Sequence, residues 1–133
     1  MERVTGIGGV FFRARDPKAL AAWYAEHLGV PVEPNQTYGA LASRGPGEVT
    51  VWSAFPADTD YFGPGAPPLM VNYRVADLDA MLEQLREAGA EVEEKIQEYE
   101  YGRFGWARDP EGNRFELWEP PTDVPPREDV GDG

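Results

Sequence analysis

Few side chains in this 133-residue sequence are suited to catalysis or metal binding. It contains one histidine, His27, and no cysteine, so disulfides and thiolate metal sites are excluded. The other candidates are charged residues in segments with strand-like alternation, chiefly Glu48 and Glu116 with Arg13 and Arg74. A buried carboxylate acts as a general base, as a weak ligand of a hard cation, or as the partner of an arginine.

Two segments that begin with aspartate are predicted to be helices, and they must position the candidate strands. The first runs from Asp16 to Gly29 and the second from Asp77 to Gly89. Aspartate accepts hydrogen bonds from the free amides that begin a helix, and glycine adopts the left-handed conformation that ends one. His27 falls near the end of the first helix, where a cation is favoured, so we expect a partly exposed helix residue rather than a metal ligand.

The sequence around these helices occurs twice. Residues 11–16, FFRARD, correspond to residues 72–77, NYRVAD, and VTVW at 49–52 corresponds to FELW at 115–118. The last two segments each follow a turn, at 45–47 and at 109–113. The repetition predicts an α+β fold of two tandem βαβββ modules, at about 6–54 and 70–120, within one domain over 1–121. Residues 55–69 are the predicted linker, and 122–133 are predicted to be a flexible acidic tail.

The segments FFRARDPKALAAWYAEHLGV (11–30) and RDPEGNRFELWEP (108–120) resemble the vicinal oxygen chelate superfamily. This superfamily contains glyoxalases, bleomycin-resistance proteins and extradiol dioxygenases, and the resemblance covers about residues 6–120. It implies a cupped mixed sheet in which the modules face each other around a site. It also implies four metal-ligand positions, which fall on Gly9, Thr50, Met70 and Glu116. Only Glu116 is a good ligand, so we expect no metal and no other cofactor, while a weak divalent metal such as Mg²⁺ at Glu116 and Glu48 stays open.

Strand alternation from these four positions predicts which side chains line the cup. Glu116 is the candidate catalytic residue, as metal ligand or general base. The predicted ligand-binding residues are Phe11, Arg13, Trp52, Met70, Asn72, Arg74, Arg103, Trp106 and Trp118. Loops at 58–65 and 98–106 are predicted to cover the cup, and the second contributes Arg103. For Arg13 and Arg74, contact with a ligand and neutralisation of the two glutamates are equal alternatives.

The sequence leaves enzyme and binding protein both open. A net charge of −12 argues against nucleic acid and anionic membranes as partners. The absence of an apolar run of eighteen residues and of an apolar signal near Met1 favours a cytoplasmic protein.

The first hypothesis is a metal-independent binder of a small molecule, aromatic or cationic, and the alternative is a lyase or isomerase of the glyoxalase kind. A metal-free enzyme with Glu116 as base is a third hypothesis. The apolar cup face, together with the resemblance, predicts a homodimer.

Overall fold

Two helices and eight strands make up the part of the chain that the computed structural model describes, residues 1–42, 48–65 and 67–121. In chain order they are β1 (Val4–Ala14), α1 (Pro17–Leu28), β2 (Tyr38–Ala42), β3 (Val49–Pro56), β4 (Leu69–Val75), α2 (Leu78–Glu87), β5 (Glu91–Val92), β6 (Gln97–Tyr99), β7 (Gly102–Arg108) and β8 (Arg114–Glu119). The α+β prediction is confirmed, because strand, helix and further strands occur twice and the sheet is mixed. The predicted turn at 45–47 and tail at 122–133 lie outside the described residues.

Both helices begin where the aspartates predict. The Asp16 carboxylate accepts from the Ala19 amide at 3.0 Å, and the Asp77 carboxylate accepts from the Ala80 amide at 3.0 Å. Gly29, with φ of 73°, caps α1 in the left-handed conformation. Neither of these two helices in the described ranges has the length and apolar character needed to cross a membrane.

The described residues divide into two compact units. The first unit contains residues 9–69, and the second contains residues 1–8 and 70–121. In the first unit, β3 pairs with β1 in parallel and with β2 in antiparallel orientation. In the second, β8 pairs in parallel with β4 and in antiparallel with β7, which also pairs with β5 and β6. Each unit therefore carries its own helix and its own part of the sheet.

Both units bury apolar side chains between helix and strands. Buried residues of the first unit's core are Ala14, Ala21, Val30, Trp52 and Ala54. Those of the second unit's core are Val75, Leu78, Met81, Leu82 and Leu117. Side chains alternate between the two faces of a strand, so the neighbours of these residues in β4 and β8 lie on the face opposite α2.

The register of the first unit corrects the sequence prediction for Trp52. The strands pair Gly9 with Val51, not with Thr50. A shift of one residue moves every side chain of a strand to the other face. Trp52 therefore lies on the helix side, where it is 6% exposed and its ring centroid is 4.6 Å from that of Tyr24. The predictions that Trp52 and Thr50 share the face of Gly9 are wrong.

Candidate functional site

A buried carboxylate lies on the face of the second unit's sheet that is opposite α2. Glu116 is 1% exposed, and its chain neighbours Phe115 and Leu117 pack toward the helix. Its register partners are Asn72 on β4 and Trp106 on β7. We call this surface the Glu116 face; by register it carries Met70, Asn72, Arg74, Phe104, Trp106, Arg114, Glu116 and Trp118.

Two neutral donors hold the Glu116 carboxylate. Asn72 Nδ2 donates to Oε1 at 2.6 Å, and Trp106 Nε1 donates to Oε2 at 3.0 Å. Both donor residues are themselves 2% exposed. Hydrogen bonds to the charged form favour ionisation, whereas burial opposes it, so these donors offset part of the desolvation of Glu116.

An arginine lies beside this cluster on β8. Arg114 Nε and Nη2 donate to the two carboxylate oxygens of Glu93 at 2.6 and 3.0 Å, and Nη1 donates to Met70 Sδ at 3.6 Å. Its guanidinium also lies 5.3 Å from the centroid of the Trp106 ring. The hydrogen bond from Arg114 holds the pKa of Glu93 below its usual range. The predicted residues Met70, Asn72, Trp106 and Glu116 are thus brought together within one unit. Pairing of Glu116 with an arginine stays a prediction.

Aromatic rings flank the carboxylate at the β6–β7 hairpin. We call Tyr99, Tyr101, Phe104 and Trp118 the aromatic group. The Phe104 and Trp118 rings stack at 6.1 Å, and the Tyr99 and Tyr101 rings stack at 5.1 Å, with exposures of 47% and 57% for the tyrosines. Burial, followed by the charges of Tyr99 and Glu116, raises the pKa of Tyr101, so the carboxylate lies within electrostatic reach of this ring. The site thus combines exposed rings with a buried anion.

The segment predicted as a second covering loop, 98–106, is instead this hairpin. The two glycines at 102 and 105 interrupt the alternation and favour a loop, whereas in the structure Gly102 begins β7 with φ of 135°. Sequence reasoning did not single out Tyr99, and the signal for it was the two-residue spacing from Tyr101. No local pattern in the sequence indicated a role for Glu93, because its partner Arg114 is 21 residues away along the chain.

Arg103 lies on the other face of β7, toward α2. Its Nη1 and Nη2 donate to Asp79 at 3.1 and 3.0 Å, and Nε donates to Glu98 at 3.3 Å. The same hydrogen bonds lower the pKa of Asp79. A one-residue offset from Phe104 directs Arg103 toward the helix side of the sheet, and its contact with a ligand stays a prediction.

Arg74 lies on the Glu116 face against the backbone of β1. Its guanidinium occupies the space that a Cβ at Gly6 would need, and its Nη1 donates to the Ile7 carbonyl at 3.5 Å. Within the second unit Arg74 therefore packs across a glycine. Its contact with a ligand stays a prediction.

Arg13 belongs to the first unit, where it holds backbone carbonyls between β3 and β4. Nε donates to the Pro67 carbonyl at 2.8 Å, and Nη1 donates to the carbonyls of Ala57 and Thr59 at 2.8 and 2.7 Å. The guanidinium also lies 5.2 Å from the centroid of the fully buried Phe62 ring. These contacts give Arg13 a structural role, and ligand contact by Arg13 stays a prediction.

Phe11 lies on the same face of β1 as Arg13. Its ring centroid is 5.3 Å from that of Phe55. Phe55 pairs with Arg13 in the β1–β3 register, so Phe11, Arg13 and Phe55 lie on one face of the first unit. Its contact with a ligand stays a prediction too.

The side chains at the superfamily's ligand positions do not fit a transition-metal site. Gly9 has no donor, Thr50 lies on the helix side of its strand, and Met70 Sδ accepts a hydrogen bond from Arg114. Both oxygens of Glu116 already accept hydrogen bonds. Among residues 1–42, 48–65 and 67–121, no three histidine or carboxylate side chains come together as a metal-binding group. The weaker Mg²⁺ site at Glu116 and Glu48 stays a prediction.

Comparisons with known proteins agree on the fold. A family model described as a glyoxalase-like domain matches residues 9–118. Methylmalonyl-CoA epimerase from Mycobacterium tuberculosis is 24% identical, with a TM-score of 0.66 and 90% of each chain covered. Methylmalonyl-CoA epimerase in complex with methylmalonyl-CoA and NH4+ is 16% identical, with a TM-score of 0.72, covering 94% of this chain and 100% of that chain.

A more distant structure belongs to a glyoxalase/bleomycin resistance protein/dioxygenase superfamily member from Vibrio splendidus 12B01. It is 14% identical, with a TM-score of 0.57, covering 90% of this chain and 99% of that chain. No curated protein matches the sequence. At these identities the solved structures show the fold alone.

Proposed function

Because the chain belongs to the glyoxalase-like family of the vicinal oxygen chelate superfamily, we propose that it binds a small molecule at the Glu116 face without a metal ion. The observation that carries this proposal is the Glu116 carboxylate, which is 1% exposed and is held by Asn72 and Trp106. Both of these donors are neutral, and hydrogen bonds to a carboxylate favour its charged form, which supports an anionic group on this face. The absence of suitable side chains at the other ligand positions supports binding without a metal.

The proposed ligand is aromatic and cationic. Aromatic faces attract cations, and the attraction increases where water is excluded. The aromatic group packs two half-exposed tyrosines against Phe104, which lies on the Glu116 face two residues from Trp106. A net charge of −12 also attracts cations toward the surface of the protein.

A matched set of dyes tests this proposal through quenching of tryptophan fluorescence. The set contains one flat aromatic scaffold in cationic, neutral and anionic forms. We expect the cationic form to bind best, and Glu116→Gln to weaken its binding at least tenfold while affecting the neutral form less. Glu111→Gln, in the exposed turn before β8, is the matched control for loss of one negative charge. Equal binding of the three forms, or equal effects of the two variants, would contradict the proposal.

A lyase or isomerase of the glyoxalase kind is the second candidate, and burial of Glu116 favours it. A buried carboxylate can act as the general base that removes a proton from carbon next to a carbonyl group. Methylmalonyl-CoA, named with a structural neighbour, is a direct probe. Exchange of its C2 proton in deuterated water, followed by proton NMR and lost in Glu116→Gln, would support the enzyme. Absence of exchange would count against this substrate and leave the binding function as the better account.

We also propose that the chain forms a homodimer. The half-exposed rings of Tyr99 and Tyr101 support an additional packing partner, since large apolar groups gain free energy when they are removed from water. A second copy supplies such a partner by abutting or exchanging a module.

A further inference from the structure

We propose that residues 57–65 are a lid whose opening creates a site at Arg13 for a flat aromatic carboxylate. The lid follows β3 directly, since that strand ends at Pro56. The site lies in the first unit, whereas the Glu116 face lies in the second. Binding at Arg13 is therefore independent of the proposed function and is tested without it.

Aromatic side chains close the lid over β1 and β3. Arg13 and its register partner Phe55 lie on the face opposite to that of Trp52, which packs against α1. The Phe62 ring is fully buried over this face, with its centroid 5.1 Å from that of Phe55. The Tyr61 ring stacks on Phe55 at 5.4 Å. The lid thus fills with its own rings the place that an aromatic ligand would take on this face.

The cation beneath the lid has neutral partners. Each acceptor that the structure describes for Arg13 is a backbone carbonyl, of Ala57 and Thr59 in the lid and of Pro67 beyond it. The Nη2 atom is buried without a hydrogen-bond partner in the described part of the chain. The guanidinium carbon lies 5.2 Å from the centroid of the Phe62 ring. Arg13 therefore binds one ring and several oxygens of its own chain.

An aromatic carboxylate offers Arg13 the same groups in a more favourable form. A guanidinium donates through a planar fork that matches the two oxygens of a carboxylate. Hydrogen bonds between such charged partners are about twice as strong as those between neutral groups. A buried donor without a partner also costs free energy, which a second carboxylate oxygen would recover. The ligand ring would take the place of Phe62.

Glycines permit the lid to move. Gly63 and Gly65 follow Phe62 with φ of 94° and 88°, a left-handed region that glycine adopts without steric cost. The lid consists of turns, and the amides of Thr59 and Gly63 donate to carbonyls three residues back. Such local hydrogen bonds move with the lid, whereas those from Arg13 must break when it opens. A ligand that binds only the open state shifts the lid toward that state.

Benzoate is the probe, and benzamide is its neutral counterpart of the same shape. Equilibrium dialysis measures binding, and hydrogen exchange followed by mass spectrometry measures opening of the peptide that contains residues 57–65. We expect benzoate to bind and to raise the exchange of this peptide more than benzamide does. Equal binding and equal exchange with the two probes would overturn the inference.

Removal of the ring that occupies the site should favour the ligand. We expect Phe62→Ala to bind benzoate about tenfold more tightly than the parent, because the open state becomes more populated. If Phe62→Ala does not fold, Tyr61→Ala loosens the lid from its partly exposed side and should change the affinity in the same direction. Unchanged or weaker binding in a folded variant of either kind would contradict a lid that competes with the ligand.

Substitution of Arg13 separates a binding role from simple attachment of the lid. Arg13→Met should raise exchange of the lid and yet weaken benzoate binding by about tenfold, whereas Arg13→Lys should restore part of the binding. Arg15→Met, at an exposed position directly after β1, removes the same charge and should behave like the parent. Faster exchange in Arg13→Met with unchanged benzoate binding would show a structural role only and would overturn the inference.

Discussion

Trp106 Nε1 donates a 3.0 Å hydrogen bond to Glu116 Oε2 from the facing position on the antiparallel strand. The indole also lies beneath the guanidinium of Arg114, which is 5.3 Å from its centroid. The same ring therefore contacts a cation through its face and an anion through its N–H group. This arrangement follows from the register, because facing residues of β7 and β8 share one side of the sheet.

Replacing the indole by a phenyl ring should destabilise the protein. Trp106→Phe keeps an apolar ring but removes the N–H donor, leaving a buried carboxylate with one fewer hydrogen bond. We expect the free energy of unfolding to fall by about 1–3 kcal/mol, measured by urea denaturation. Trp23→Phe on α1 is the control, since that side chain is 51% exposed. Equal effects of the two variants would show that the N–H group contributes little.

The Glu93–Arg114 pair should make stability depend on acid pH. Arg114 lowers the pKa of Glu93 from 4.5 in the folded protein, so the unfolded chain binds protons more readily. The stabilisation is complete above pH 4.5 and is lost as the pH falls through the lower folded value. Urea midpoints between pH 6 and 3 should fall less steeply in Glu93→Gln than in the parent. Glu94→Gln, at an exposed neighbouring position, should retain the parent slope, and an identical slope in Glu93→Gln would contradict this prediction.

Arg13 should hold the backbone at Ala57, Thr59 and Pro67 within the first unit. Arg13→Met preserves the length of the side chain but removes its hydrogen bonds to the carbonyls of Ala57, Thr59 and Pro67. We expect a loss of about 1.5–3 kcal/mol in unfolding free energy and faster chymotrypsin cleavage after the buried Phe62. Arg15→Met, at an exposed position directly after β1, is the control. Resistance to cleavage equal to that of the parent would exclude this role for Arg13.

Transition metals should not bind at the superfamily positions. Gly9, Thr50, Met70 and Glu116 provide one good ligand, whereas such ions require three or four. Protein purified without chelators should contain Ni, Zn, Mn and Fe far below one equivalent by elemental analysis. One equivalent of any of these ions that is lost in Glu116→Gln would show that the carboxylate is a metal ligand.

The chain should sediment as a dimer. At micromolar concentration, analytical ultracentrifugation should give about twice the chain mass of 14.8 kDa. Tyr101→Ser should weaken the dimer if the half-exposed aromatic rings lie in the interface, whereas Tyr38→Ser on β2 serves as a comparison of similar exposure. A monomer throughout the concentration range would refute the dimer.

Local signals in the sequence were sufficient for the helices and for the face of β8 on which Glu116 lies. Each capping aspartate bonds an amide three residues away, so its effect does not depend on distant parts of the chain. Alternation along each strand predicted that Asn72 and Glu116 lie on the same face of the sheet. The register of β4 and β8, which pairs these two residues, agrees with that prediction. The recurrence of strand, helix and further strands was readable for the same reason, although among the described residues two strands follow α1 and four follow α2, not three each as predicted.

The sequence by itself therefore determined where the helices begin, that the chain repeats an α+β unit, and that Glu116 lies opposite the apolar face of β8. Only the tertiary structure decided that Trp52 packs against α1, that Arg103 binds Asp79, and that Asn72 and Trp106 hold Glu116. Caps and alternation act over a few residues. Strand register and the partners of long polar side chains depend instead on pairing between distant segments, where a shift of one residue reverses every face.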